Sequence, residues 1–139
     1  MQNDLRIADH PILDIQKGRQ ISFQFNSKTI TAYKGETIAA ALYASGVRIF
    51  SRSFKYHRPR GLFCMAGHCS NCLMRVDGVP NVRVCREPAR QGSVVMSQNA
   101  WPSLKFDLAA LDLAHGGSEI KQAHAQAMEH LAENRPIAD

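Results

Sequence analysis

Long apolar runs are absent from this sequence of 139 residues. No stretch of eighteen consecutive apolar residues occurs, so the sequence predicts no membrane-spanning helix. The first six residues lack the basic and apolar regions of a secretory signal, and we therefore expect a cytoplasmic protein. Any attachment to the inner face of the cell membrane would be peripheral and would occur through partner subunits.

Motifs for nucleotide binding and hydrolysis are also missing. The sequence contains no glycine-rich dinucleotide fingerprint, no phosphate-binding P-loop, no nucleophile elbow and no His-Glu-x-x-His pair. These absences exclude the common sequence signatures of dinucleotide binding, NTP hydrolysis and serine or zinc hydrolysis. We therefore expect that this chain carries out no substrate chemistry by itself.

Acidic side chains are missing from residues 37–76, a stretch that contains six arginine and lysine residues. Over residues 1–102 there are 14 basic and 6 acidic residues, against 3 and 6 in residues 103–139, and the net charge is +5. Such a surplus predicts a docking face for an acidic protein or a phosphate-bearing cofactor. An RNA contact that uses Phe54, Tyr56 and the neighbouring arginines is the alternative.

Cysteine is scarce, yet all four cysteines fall within residues 64–85. Cys64, Cys69 and Cys72 have the C-x4-C-x2-C spacing of plant-type [2Fe–2S] ligation, and Cys85 follows downstream. Because a two-iron cluster takes four thiolates, two on each iron, we predict these cysteines as its ligands. Small or polar loop residues are expected to bind the cluster, in part through backbone N–H groups, and these are Ala66, Gly67, His68 and Ser70.

Other uses of the cysteines compete with this prediction. Disulfides are disfavoured, because thiols in the cytoplasm stay reduced. A tetrahedral zinc site, in a zinc-stabilised nucleic-acid-binding module, remains an alternative, although zinc sites usually pair two C-x2-C knuckles and only one exists here. A Rieske centre would use histidines such as His68, but the four cysteines already fill the ligand set.

The presence of a cluster would also imply a partner. An iron–sulfur cluster transfers one electron at a time, whereas oxidation of a metabolite normally removes two. A two-electron cofactor, most simply a flavin, is therefore expected on another chain. A redox-sensing protein whose cluster regulates a partner is a further hypothesis.

The apolar pattern predicts an α+β chain in three parts. Residues 1–18 are expected to be a flexible lead-in, residues 19–100 a β-grasp, ferredoxin-like domain, and residues 101–139 a helical C-terminal extension. The predicted elements are strands over 21–25, 28–33, 47–50, 73–76, 79–85 and 93–97, a helix over 36–45, and helices capped by Ser103 and Ser118. The histidines of the extension are expected to be surface residues, and these are His115, His124 and His130.

Residues 50–61, with the sequence FSRSFKYHRPRG, run directly into the cysteine loop. This tandem resembles the small [2Fe–2S] components of multisubunit flavin-dependent amino-acid dehydrogenases, over roughly residues 18–100. That group includes HcnA-type components of hydrogen cyanide synthase and the gamma subunits of opine oxidases and of hydroxyproline or proline dehydrogenases. The amino-terminal part of the alpha subunit of heterotetrameric sarcosine oxidase is similar as well.

The resemblance implies a hetero-oligomer with two kinds of flavin subunit. One would bind FAD through a dinucleotide fold, and the other would resemble glycine or D-amino-acid oxidases. This chain would be the electron-transfer subunit of an oxidoreductase acting on the C–N bond of an amino acid or opine, passing single electrons between FAD or FMN groups or to an external acceptor. Its interface with a flavin subunit would include Arg52, Lys55, Tyr56, His57, Arg58 and Arg60.

Overall fold

The computed structural model of the protein describes residues 4–108 and residue 110. Within them the chain forms one helix, α1 (Ile38–Ala44), and seven strands. The strands are β1 (Gln20–Phe25), β2 (Lys28–Tyr33), β3 (Ser51–Arg52), β4 (Pro59–Arg60), β5 (Leu73–Val76), β6 (Val79–Arg83) and β7 (Val94–Met96).

Five of these strands form one mixed sheet in the order β2-β1-β7-β5-β6. Strands β1 and β7 run parallel, and the other neighbours are antiparallel. Strands β3 and β4 form a separate two-stranded sheet. A mixed sheet with a helix after its first hairpin is the β-grasp arrangement, so the predicted α+β, ferredoxin-like fold is confirmed.

The first hairpin follows directly from the sequence pattern. Ile21, Phe23 and Phe25 are buried, and in the register of the two strands Phe23 lies opposite the buried Ile30 of β2. The predicted turn at residues 26–27 has positive φ at both positions, +44° and +68°, as two-residue hairpin turns of type I′ require.

Helix α1 begins at Ile38, two residues later than the predicted start. The carboxylate of Glu36 accepts hydrogen bonds from the Arg6 guanidinium, at 2.6 and 2.8 Å, and from the Tyr33 N–H at 3.0 Å. Thr37 is the N-cap instead, since its hydroxyl accepts a bond from the Ala40 N–H at 3.2 Å. The Arg6–Glu36 pair fixes part of the lead-in against the core, while the domain boundaries remain predictions.

The second hairpin is confirmed, with its turn at residues 77–78, but β6 ends at Arg83 rather than at Cys85. The chain turns over residues 84–86 because its carbonyls satisfy the start of the helix. Ala39 N–H donates to the Val84 carbonyl at 3.0 Å, and Ile38 N–H donates to the Glu87 carbonyl at 2.9 Å. The predicted alternation therefore stops at Val84, and Val84 and Cys85 are both buried.

Two further differences concern segments near the basic stretch. Residues 47–50 are not a strand, because the Val47 N–H bonds to the Leu42 carbonyl at the end of α1, and strand pairing starts at Ser51. Residues 103–106 form a turn closed by reciprocal bonds between Ser103 and Phe106, so no helix begins at Ser103. The rest of the predicted extension lies outside the described residues, including the helix capped by Ser118 and the histidines His115, His124 and His130.

Candidate metal centre

The four cysteines come from one loop and one turn. The loop of residues 61–72 joins β4 to β5 and carries Cys64 and Cys69, both half-buried, and Cys72, which is 1% exposed. Cys85 lies in the turn after β6 and is 7% exposed. Because β5 and β6 pair as a hairpin, their ends lie side by side, and the Val84 N–H donates to the Cys72 carbonyl at 3.3 Å.

The cysteines associate in two pairs, and none of them forms a disulfide. In the first pair, the Cys69 N–H donates to Sγ of Cys64 at 3.4 Å. Hydrogen bonds from the backbone N–H groups of Ala66, Cys69 and His68 and from the Cys69 side chain lower the pKa of Cys64 to about 6. The loop therefore stabilises a thiolate at this position, and it does so partly through two of the predicted cluster-binding residues.

The second pair is Cys72 with Cys85. Burial raises the pKa of Cys72 to about 11, and a hydrogen bond and Coulomb interaction with the Cys85 side chain add to the increase. A buried thiolate needs a nearby positive charge, which the iron of a cluster supplies.

This donor set fits a two-iron cluster. Among the described residues, no three Cys, His, Asp or Glu side chains are arranged so that they could hold one metal ion. A tetrahedral zinc ion would need four ligands around one point, whereas each iron of a [2Fe–2S] cluster takes two thiolates. Two thiol pairs match the second arrangement. The assignment of individual cysteines as ligands remains a prediction.

Gly67 occupies the one position of the cysteine loop at which both backbone conformation and space require glycine. Its φ is +81°, and a Cβ atom there would lie 2.9 Å from Cγ of Arg86. The neighbouring side chains Ala66, His68 and Ser70 are exposed. Their contribution to cluster binding would therefore come from the backbone, as it does for the Cys64 thiolate.

Two arginines bond to the cysteine loop from outside it. The Arg60 guanidinium donates to Oδ1 of Asn71 at 2.7 Å, and Nε of Arg83 donates to the Cys69 carbonyl at 3.4 Å. Arg83, Asn71 and the Arg86 side chain over Gly67 were not identified from the sequence. The only local signal was their proximity to ligand cysteines in the chain, since the contacts themselves depend on how the hairpin folds back.

The six predicted interface residues do not share one environment. Lys55, Tyr56 and Arg58 are exposed, and both cations lie over the Tyr56 ring, at 5.3 and 5.0 Å from its centre. Arg52 is mostly buried, and its guanidinium bonds to the Leu104 and His57 carbonyls. The interface assignment itself remains a prediction, but Arg52 has a structural role within the chain.

A groove of about 520 Å³ separates this basic stretch from the cysteine loop. Arg52, Phe54 and Arg60 line one part of it, and Ser70 and Leu73 line another. A partner that contacts the exposed part of residues 52–60 would therefore lie next to the loop that carries the thiols.

The β-grasp fold and the paired thiols define a ferredoxin-like [2Fe–2S] protein. The chain belongs to the 2Fe-2S iron-sulfur cluster binding domain family, whose sequence model matches residues 18–100. Membership identifies its cofactor as a [2Fe–2S] cluster, as the cysteine spacing predicted.

Two curated relatives illustrate where such domains occur. The alpha subunit of sarcosine oxidase from Rhizobium meliloti is 37% identical over 102 residues, which cover 70% of this chain and 10% of the relative. Hydrogen cyanide synthase subunit HcnA of Pseudomonas aeruginosa is 32% identical over 79 residues, 57% of this chain and 75% of the relative. The chain thus spans a tenth of the length of the first relative.

Among solved structures, L-proline dehydrogenase from P. horikoshii resembles this fold with a TM-score of 0.53 and 26% sequence identity. The match covers 62% of this chain and 17% of that one. Within the described residues, no helix has the length and apolar character that a membrane span requires.

Proposed function

We propose that this chain is the electron-transfer subunit of a heteromeric, flavin-dependent dehydrogenase or oxidase that acts on the C–N bond of an amino acid or opine. The observation that carries the proposal is the arrangement of four thiols in two pairs on a domain of the [2Fe–2S] family. The relatives named above are subunits of a sarcosine oxidase and of a hydrogen cyanide synthase, and the structural neighbour is a proline dehydrogenase. All three names are consistent with a redox complex.

In this proposal, Cys64 and Cys69 hold one iron, and Cys72 and Cys85 hold the other. When bound, the cluster supplies one-electron storage between donor and acceptor. The chain's own residues set the conditions for that storage. Backbone N–H groups at Ala66 and His68 stabilise thiolate charge, and the apolar surroundings of Cys72 keep water away from the inner pair.

The partners follow from what this chain does not contain. No dinucleotide fingerprint occurs in its sequence, so the two-electron chemistry belongs to other subunits. We assign one to an FAD-binding dinucleotide fold and another to a fold like that of glycine or D-amino-acid oxidases. This chain passes single electrons between their flavins or on to an external acceptor. The assembly is cytoplasmic and contacts a membrane only through partners.

Co-expression of the chain with the flavoproteins encoded beside it tests the proposal. The purified assembly should contain iron, labile sulfide and flavin. A panel of glycine, proline, hydroxyproline, sarcosine and opines with an artificial dye should reveal one substrate that bleaches the cluster absorption. A colourless assembly containing one zinc per chain, or a cluster that no C–N substrate reduces, would contradict the proposal.

Replacement of single cysteines tests the ligand assignment separately. Cys69→Ser should lower iron and sulfide content severalfold, because one thiolate of the first pair is lost. Met65→Leu, at an exposed position of the same loop, is the matched control and should retain the cluster. Full cluster content in Cys69→Ser would show that Cys69 is not a ligand.

A further inference from the structure

One buried carboxylate of the described chain has no part in the cysteine site. Asp107 is 3% exposed and lies beyond the residues that match the family. Its Oδ2 atom is 2.8 Å from Nδ1 of His57 and 3.3 Å from Nε of Arg52. Its Oδ1 atom accepts a long bond from the Trp101 N–H at 3.4 Å.

These contacts join two segments about fifty residues apart in the chain. We call residues 52–60 the basic segment and residues 99–107 the C-terminal strap. Besides Asp107, the strap offers the Leu104 carbonyl, which accepts two bonds from Arg52, and the Asn99 amide, which donates to the Arg52 carbonyl at 3.1 Å. Burial of a carboxylate is costly unless it is paired, so Asp107 and Arg52 hold the two segments in one arrangement.

The basic segment adopts an unusual conformation where the strap holds it. His57 has a φ of +50°, a left-handed value that is uncommon for a residue other than glycine. Its ring contacts Asp107, and its carbonyl accepts a bond from Arg52 at 2.7 Å. The strap therefore stabilises the backbone bend that presents Tyr56 and Arg58 to solvent.

The two joined segments expose an unusual number of aromatic rings. Phe54 is 82% exposed, Tyr56 54%, Trp101 68% and Phe106 54%. Exposed aromatic rings that lie close together mark binding surfaces, since interfaces are enriched in them. The cations beside them, Lys55 and Arg58, form no salt bridge within the described residues, and Asp107 is buried under its own partners.

We infer that the basic segment and the C-terminal strap form a single docking surface, in which Asp107 is the positioning residue. Its occupant is an apolar patch bordered by carboxylates on a flavin-bearing subunit. Charge complementarity argues for acidic borders, and the exposed rings argue for an apolar centre. The surface is continuous with the groove beside the cysteine loop, so a docked subunit would lie next to the cluster. This inference rests on the proposed function.

Binding of the flavin-bearing subunits to full-length variants of the chain tests the inference. Trp101→Ala and Asp107→Ala should each raise the dissociation constant at least tenfold, about 1.4 kcal/mol, with the cluster absorption unchanged. Ile12→Ala, which truncates an equally exposed apolar side chain, and Asp77→Ala, which removes another hydrogen-bonded carboxylate, are the matched controls and should bind normally.

A double variant separates positioning from loss of stability. If Asp107 acts by placing the strap, Asp107→Ala should cost much less affinity in a Trp101→Ala background than in the native chain. Strict additivity of the two effects would overturn the positioning role. Unchanged affinity in both single variants would overturn the docking surface.

Trp101 is the only tryptophan in the chain, and labelling it with 5-fluorotryptophan gives a single ¹⁹F signal. The signal should shift on addition of the flavin-bearing subunits and stay in place with a 20-nucleotide single-stranded RNA. A shift with RNA alone would identify a nucleic-acid surface and overturn the inference. Reduction of the native cluster by substrate is measured separately, so a failure here is distinguishable from a failure of the proposed function.

Discussion

At the scale of single residues, the cysteine loop depends on backbone groups as much as on side chains. The N–H groups of Ala66, Cys69 and His68 surround Cys64, and they can do so because Gly67 turns the chain with a φ of +81°. Arg86 then closes over the glycine. The loop is thus shaped for thiolate charge before any metal is considered.

Replacement of Gly67 by alanine should therefore impair cluster retention. The substitution imposes an unfavourable φ and also a 2.9 Å contact with Arg86. Gly92→Ala is the matched control, because Gly92 has a similar φ of +78° with open space around it. We expect both variants to lose about 1–2 kcal/mol of unfolding free energy, and only Gly67→Ala to lose iron faster in the presence of a chelator.

Iron release and denaturant unfolding, measured on both variants, distinguish these effects. Equal rates of iron release from Gly67→Ala and Gly92→Ala would show that the packing of Arg86 over the loop has no role in holding the cluster.

At the scale of elements, the start of helix α1 positions the fourth thiol. The N–H groups of Ile38 and Ala39 donate to carbonyls of the turn that carries Cys85. The helix has only seven residues, so its N-terminal bonds are a large share of what defines it. Helix start and cluster site are therefore coupled through that turn.

Removal of the helix cap tests this coupling. Thr37→Ala deletes the hydroxyl that accepts the Ala40 N–H and should cost about 1 kcal/mol of unfolding free energy. Because the turn with Cys85 bonds to the same end of the helix, cluster loss on mild heating should also accelerate. Thr37→Ser keeps the hydroxyl and should behave as the native chain does. Identical cluster lifetimes in all three proteins would refute the coupling.

Local patterns in the sequence predicted those elements whose cause is local. The alternation of Ile21, Phe23 and Phe25 and the Asp77-Gly78 dipeptide identified both hairpins, because side-chain period and turn chemistry are short-range properties. The end of β6 and the start of α1 were misplaced, since long-range hydrogen bonds determine them.

The same division holds for the site. Cysteine spacing predicted the cofactor, because cluster geometry dictates that spacing directly. The roles of Arg52 and Asp107 could not be predicted, since the two residues are 55 positions apart and only the folded chain brings them together. The exposed basic residues beside them remain interface predictions that assembly measurements must test.

At the scale of the whole molecule, charge should direct assembly. Arg58 is exposed, lies over the Tyr56 ring and borders the strap. Arg58→Glu should weaken binding of an acidic partner roughly tenfold, mainly through slower association that is less sensitive to salt. Arg19→Glu, an equally exposed arginine outside the basic segment, should have little effect. Unchanged association of Arg58→Glu would refute the docking role of the basic segment.

The reduction potential is a second property of the whole molecule. Plant-type clusters have potentials of about −400 mV, which is low for accepting electrons from an amine-oxidising flavin. The positive charges at Arg52, Arg58, Arg60 and Arg75 should favour the reduced cluster, and we expect a potential above that range. Redox titration monitored by EPR measures it, and a value at or below about −400 mV would count against the electron-transfer arrangement.

The central claim is that electrons from the substrate pass through this chain, and freeze-quench EPR of the assembled complex tests it most directly. After mixing with a C–N substrate, the signal of the reduced [2Fe–2S] cluster should appear at least as fast as the complex turns over. A cluster that stays oxidised through many turnovers would show that the electrons take another route.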